Sequence, residues 1–317
     1  MKMDLENTVE ITKAIVSPIE KLIITVSAGI GKIYEPTHIK RIANSIRENI
    51  DIPIKYDDGK VSLDSTNFQE LLQRASNRMK FQEITKQQNI DNIIYNASEE
   101  LKNTEEVSDE PVDKDWIFKF FNSVENISNE DLQKIWGRIL AGEIKTPNSY
   151  SYRALETLKN MTPKEIEVFQ KIAKISLMIE NSYFIPCDKA IFKKTGITFD
   201  ELFLLEECGI LTTRDLTLTY KINSSNNIFI RNDTYISFAF PKAGINELTL
   251  NVYVFNKSGK ELIKSLTTKK DHEYILDFLK DLAIENKCKS IDFTAHKIID
   301  IKKDGKIEYF LENVLEK

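Results

Sequence analysis

Histidine and cysteine, which carry much of protein chemistry, are scarce here: three of each in 317 residues. Cys187, Cys208 and Cys288 lie far apart, with no C-x-x-C pair, and His38, His272 and His296 are equally scattered. That spacing offers neither a disulfide framework nor a zinc site and fits a reducing cytosol. No Ser-His-Asp order, Cys-His pairing, dinucleotide glycine fingerprint or H-E-x-x-H is present, so the sequence leans away from catalysis and predicts no metal and no cofactor. Glycine is also scarce, at ten residues. Beside the abundance of Lys, Ile and Asn, that reads as AT-rich base composition.

Excess positive charge is missing too. The net charge of −5 argues against a sequence-independent nucleic-acid binder, whose affinity would rest on neutralising phosphates. No secretory signal is expected at the start, because Asp4 and Glu6 occupy the would-be basic region. Long apolar runs are absent as well. The most membrane-like segment, "ITKAIVSPIEKLIITVSAGIGKIY" (11–34), is interrupted by Lys13, Glu20, Lys21 and Lys32. Its uncharged core is about half of what a spanning helix needs. It reads as a buried or oligomer-forming helix kinked at Pro18, with an interfacial membrane helix as the alternative. Ile15, Ile19, Leu22, Ile23, Val26 and Ile30 would make the membrane or oligomer contact. The "SAGIGK" within it is no phosphate loop: Val26 stands where the first glycine is required, and Ile33 where a Ser or Thr should hold magnesium. Gly29 and Gly31 would instead thin the helix for close packing or end it before Pro36.

What is present is an α+β chain in five stretches. Residues 1–60 hold the apolar and basic N-terminal helices, the latter in "PTHIKRIANSIREN". Residues 61–104 hold one long helix or two: Phe68, Leu72, Ala75 and Met79 recur at helical spacing, as do Ile90, Ile93, Ala97 and Leu101. The polar "QEITKQQN" breaks the seam between them, which suits an antiparallel or oligomeric helix more than a continuous coiled coil. An acidic run, "EELKNTEEVSDEPVDKD", follows and reads as a solvated hinge.

Residues 105–162 read as a helical bundle. Ser128 and Asp131 form an expected capping box, with Leu132, Ile135, Trp136, Ile139 and Leu140 on one stripe behind it. Gly142 is placed near a left-handed C-cap, and Ser149 or Ser151 caps the next helix. "TPKE" (162–165) restarts with Pro163 at the first helical position and Glu165 closing a box with Thr162. Glu143 and Arg153 are the polar residues that stand out; they either tie two helices across the Pro147 corner or form a ligand or partner site.

Residues 163–222 read as a winged-helix-like module. Its helices are "KEIEVFQKIAKIS", "CDKAIFKKTG" and "FDELFLLEECG", and "ILTTRDLTLTYKI" supplies the wing strands. Thr198 and Glu201 box the third helix and Gly209 ends it. A DNA reader would place Arg, Lys, Asn or Gln on the outer face of that helix. Here the residues are Asp200, Glu201, Glu206 and Glu207, which favours a structural or protein-binding module. Lys189, Lys193 and Lys194 on the second helix keep nucleic acid open. Residues 223–317 read as mixed α+β, with turns at Asn232-Asp233 and Asp304-Gly305 and an amphipathic helix in "DHEYILDFLKDLAIEN". Asp292, Asp300 and Lys302 form the carboxylate, carboxylate and lysine set of a metal-dependent nuclease, although alternation along a solvent-facing strand is the stronger explanation.

The stretch "DEPVDKDWIFKFFNSVENISNEDLQKIWGRILAGEIKTPNSYSYRALETLKNMT", with W-x-R-I-L-A-G-E from Trp136 to Glu143, resembles a bacterial family known only as a domain of unknown function. "VSAGIGKIYEP" and "QQNIDNIIYNA" resemble its N-terminal part, and the likeness covers about residues 15–210. A looser likeness links the chain to the Abi-alpha abortive-infection proteins. The resemblance implies a bacterial intracellular protein tied to phage defence. Together with the residue patterns it predicts a homo-oligomer that engages a protein trigger, cytoplasmic or peripheral to the inner membrane through residues 11–34.

Overall fold

The computed structural model describes residues 17–30, 68–179, 182–221, 227–230, 234–239, 247–266, 292–301 and 307–313. The chain divides into two compact units, 1–152 and 153–317. Among the described residues the first is helical and the second mixed, so the chain is α+β.

In the first unit α1 (Pro18–Ile30), α2 (Phe68–Leu101), α3 (Lys114–Val124) and α4 (Glu130–Lys145) pack together. Pro18 does not kink α1 but opens it. The Ser17 hydroxyl accepts from the Glu20 amide (3.2 Å) and the Glu20 carboxylate from the Ser17 amide (2.9 Å), a capping box with proline at the first position. Leu22 and Val26, one turn apart, are fully buried in this unit, and Ile19 and Ile23 are half-buried. Lys21, which interrupts the apolar run, is buried as well, and its ammonium donates to the Ser108 carbonyl. Burial pushes its pKa down, against the attraction of Asp109, Glu110 and Glu143. Gly29 lies where a Cβ would come within 2.3 Å of Ile117 and 2.6 Å of Phe121, so it permits the close approach of α1 to α3. Ile15 and Gly31 lie outside the described residues.

The long-helix question resolves to one helix of 34 residues. The polar interruption is where α2 crosses the α3–α4 connection. There the Asn89 amide donates to the Glu125 carbonyl (2.9 Å), and the Gln133 amide to Asn89 (3.3 Å) and to the Ile127 carbonyl (2.8 Å). Buried amides that satisfy one another fix a register without an apolar seam. The core beyond them holds Ile93, Ile94, Ala97, Leu101, Phe120, Ile135, Trp136 and Ile139. Trp116 stacks on Phe120 at 5.2 Å, and Trp136 meets the same ring edge-on at 5.6 Å.

Two expectations shift slightly. Asn129, not Ser128, caps α4, its side chain accepting from Leu132 N–H (3.0 Å). Gly142 does not end α4, which runs on to Lys145; a Cβ there would meet the Tyr150 ring at 2.8 Å. The left-handed residue of the corner is Asn148, at φ 69°. The acidic run is also held in place: Ser108 N–H bonds the Lys145 carbonyl (3.1 Å), and the Glu110 carboxylate accepts from Asn148 (3.2 Å).

The second unit contains most of α5 (Tyr152–Asn160), then α6 (Pro163–Lys174), β1 (Leu177–Ile179), β2 (Ser182–Pro186), α7 (Lys189–Thr195) and α8 (Phe199–Glu207). β3 (Leu211–Lys221), β4 (Asn227–Ile230), β5 (Thr234–Ala239), β6 (Glu247–Phe255), α9 (Lys257–Leu262), β7 (Asp292–Ile301) and β8 (Ile307–Asn313) follow. Among the described residues the strands form one antiparallel sheet in the order β3-β6-β2-β1-β4-β5-β7-β8. Both expected capping boxes are present, at Thr162–Glu165 and Thr198–Glu201, and Gly209 takes φ 69° after α8. The expected wing segment is one continuous strand, β3, rather than two. Its threonine-rich run has no Gly, Pro or Asn, and its partner is β6, from Leu211↔Phe255 to Lys221↔Glu247, with a register shift between Thr212 and Leu216. The β4–β5 and β7–β8 hairpins form as expected; their connecting residues, and 271–286, lie outside the described residues.

Candidate interaction surface

The conspicuous motif residues prove to be internal. The Glu143 carboxylate is 1% exposed and accepts from the amides of Asn148 (2.6 Å) and Tyr150 (3.0 Å). It therefore ties α4 to the corner through backbone donors. The Trp116 indole donates to the Tyr150 carbonyl (2.6 Å) and closes the same corner. Asp113 caps α3 by accepting from Trp116 N–H (2.8 Å) and also takes the Tyr152 hydroxyl (2.9 Å), which together hold its carboxyl below the usual range.

Arg153 lies in the second unit, on the rim of an open cleft of about 430 Å³ that α5, the start of α6 and the end of α8 enclose. Glu156, Glu165, Glu207 and Cys208 also line it. Glu165 is committed to its capping box; the Thr162 amide (2.5 Å) keeps it ionised below the ordinary glutamate value, against partial burial. The Cys208 thiol donates to this carboxylate. Burial, and then the charges of Glu165 and Glu207, push its pKa to about 11. A thiol so shifted is not a nucleophile at neutral pH. No metal-holding group of His, Cys, Asp and Glu occurs among the described residues. The cleft thus offers carboxylates and one guanidinium, with no activated group.

The suggested nuclease set does not converge. Asp292 and Asp300 occupy the two ends of β7, about 26 Å apart at about 3.3 Å per strand residue, whereas ligands of one ion lie within a few ångströms of each other. Lys302 lies outside the described residues. Lys189, Lys193 and Lys194 are all on the exposed side of α7.

The surface that stands out is the outer face of α8. Leu202 and Leu205 anchor this helix inward. Lys171 fixes it to α6, donating to both Glu201 oxygens (2.8 Å each) and to the Gly196 carbonyl (2.6 Å). Burial opposes ionisation of Glu201, but Lys171 and the Thr198 amide outweigh it and hold the carboxyl below its ordinary value. Glu206 is engaged by the Thr213 hydroxyl and amide. On the opposite side Phe199 and Phe203, one turn apart, are 55% and 53% exposed, with Asp200 and Glu207 exposed beside them. Phe199 is supported edge-on by Phe192 at 6.3 Å, which in turn stacks on Tyr253. Sequence reading found the acids of this face and missed its aromatics. Their i, i+4 spacing, out of phase with Leu202 and Leu205, was the available signal.

The family model described as "Protein of unknown function (DUF2806)" matches residues 73–279. The chain belongs to that family. No curated protein and no solved structure matches the chain. The matched span takes in the α2–α4 bundle, the cleft and α8. Among the described residues, no helix is long and apolar enough to cross a membrane.

Proposed function

We propose that the chain acts by association rather than catalysis: its second unit is a winged-helix-like module that docks a protein partner through the outer face of α8, in the setting of antiphage defence. The observation that carries the reading is the pair of exposed phenylalanines flanked by Asp200 and Glu207 on a helix that has no Lys or Arg. Exposed aromatics at helical spacing are the usual anchors of protein interfaces, whereas four carboxylates on one helix repel phosphate. The winged-helix assignment is supported by the order α6, β2, α7, α8, β3, β6, with β1 added before β2, and by the adjacency β3-β6-β2, in which the last two strands pair and the first lies beside the last. The wing would then carry β4 and β5 as an insertion. The defence setting rests on the W-x-R-I-L-A-G-E motif and the likeness to Abi-alpha proteins. Leu22 and Val26, expected at a membrane or oligomer contact, are instead buried inside the first unit, so assembly would use other surfaces of the chain.

The test is phage plaque counts on bacteria expressing the parent chain or Phe199→Ser/Phe203→Ser, with folding checked by circular dichroism. Lost protection by the folded variant is the expected result; unchanged protection removes the docking face from function. The nucleic-acid reading rests on the three exposed lysines of α7. Salt-dependent DNA binding lost in Lys189→Glu/Lys193→Glu/Lys194→Glu would establish it instead.

A further inference from the structure

The long helix α2 is buried along one part of its length and exposed along another. From Asn89 to Leu101 it packs into the first unit, whereas Gln73, Arg74 and the run Asn77–Glu83 are exposed, including Met79 at 62% and Phe81 at 44%. A helix of 34 residues is about 50 Å long, and among the described residues the stretch Asn77–Glu83 is exposed at every position. Lone helical segments are marginal in water unless an apolar face is covered. Between Leu71 and Gln82 this segment carries Arg74, Arg78 and Lys80 and no acid. It is therefore basic and partly apolar, the complement of the α8 face.

The match extends to spacing. Arg74, Arg78 and Phe81 fall at i, i+4 and i+7 and share one side of α2. Phe199, Phe203 and Glu207 fall at i, i+4 and i+8 and share one side of α8. The two stripes rise about 10 and 12 Å along their helices. Laid antiparallel, they set Phe81 against Phe199, Arg78 over the Phe203 ring and Arg74 beside Glu207. Aromatic against aromatic, guanidinium over a ring face and guanidinium beside carboxylate are each favourable pairings.

We infer that the partner docked by α8 is the exposed half of α2 in a second copy of this chain. The inference rests on the docking role proposed for α8 and names its occupant. Because the two surfaces differ, copies either exchange the contact reciprocally in a pair or repeat it head to tail.

The test is sedimentation velocity of the full-length chain between about 5 and 200 µM, the range in which a contact smaller than a standard interface is populated. The parent should gain mass with concentration and lose that gain in high salt. Arg74→Glu/Arg78→Glu and Asp200→Lys/Glu207→Lys should each weaken assembly about tenfold or more, since each sets like charges face to face. An equimolar mixture of the two variants, or one chain with all four substitutions, should restore it. Phe81→Ser, which changes no charge, should weaken assembly with helix content unchanged. A parent that stays monomeric throughout, or a charge exchange that fails to restore assembly in folded chains, overturns the inference. The two proposals fail separately. A monomeric parent whose protection still depends on Phe199 and Phe203 keeps the α8 face and loses the second copy. Parent assembly that obeys the charge exchange, with protection unchanged in Phe199→Ser/Phe203→Ser, keeps the second copy and loses the link to defence.

Discussion

The motif helix α4 and the plainer helix α8 present their chemistry in opposite directions. In α4 the distinctive residues turn inward: Trp136 is fully buried, and Glu143 is consumed by two backbone amides of its own corner. In α8 Leu202 and Leu205 turn inward and the phenylalanines outward. A memorable stretch of sequence can therefore be memorable because a tight corner demands it, while a surface able to bind is written in unremarkable residues. The contrast has a measurable form, because removing an inward group should cost stability and removing an outward one should not. Both tryptophans, Trp116 and Trp136, lie in the first unit, so their fluorescence follows that unit within the intact chain.

The largest effect is expected at Glu143. Glu143→Leu leaves the Asn148 and Tyr150 amides without their acceptor, and should destabilise the first unit by about 3 kcal/mol in urea unfolding followed by tryptophan emission. Phe203→Ser should leave that transition in place and change the stability of the second unit by less than about 0.5 kcal/mol, as surface changes do. If the Glu143 variant unfolds with the parent, the corner does not depend on it and the comparison is broken. Next in size is Gly29→Ala, which must displace Ile117 or Phe121 and should cost about 2 kcal/mol, the usual penalty of overpacking. An unchanged midpoint would mean that α1 is not held against α3.

How much of this was legible in advance depended on the range of the determining contact. The boxes at Thr162–Glu165 and Thr198–Glu201 are complete within four residues, and both were readable. The inward stripe of α4 was readable for the same reason, since helical periodicity is local. The role of Gly142 was not, because the Tyr150 ring that requires it comes from beyond the corner. Nor was the partner of β3: the strand it needs begins at Glu247, after β4 and β5, and nothing in "LTTRDLTLTYK" points there. The exposed phenylalanines belong to the same class. Whether an apolar side chain on a short helix faces core or solvent is decided by what packs against it, and that is set elsewhere in the chain.

Acid titration sharpens the contrast within the second unit. The folded-state pKa values of Glu201 and Glu165 lie below the ordinary glutamate value. Their contribution is therefore fully present above about pH 4.3 and is lost as pH falls through the depressed values. Glu201→Gln should lower stability at neutral pH and flatten its decline in acid, because the proton-linked part has been removed. Calorimetry from pH 6 down to about pH 3 reads both effects, with the ordinary glutamate value near the middle of the range. A variant as acid-sensitive as the parent would place the linkage elsewhere.

The smallest effect on stability, and the most direct probe of the cleft, concerns Cys208. With a pKa of about 11, its thiol should react with a disulfide reagent at pH 8 about 100-fold more slowly than an ordinary cysteine, following the thiolate fraction. Burial is the leading cause, and the Glu165 carboxylate adds to it both as a charge and as the acceptor of the thiol proton. Glu165→Gln should therefore quicken the reaction while loosening the start of α6, and the two consequences separate by denaturant. Faster labelling that persists where the variant is fully folded reports the lost charge; faster labelling that scales with the unfolded population reports only the lost cap. A parent thiol that already reacts at the ordinary rate would show that the cleft is neither dry nor acidic enough to restrain it. The inward-facing chemistry of the second unit would then have to be sought away from the end of α8.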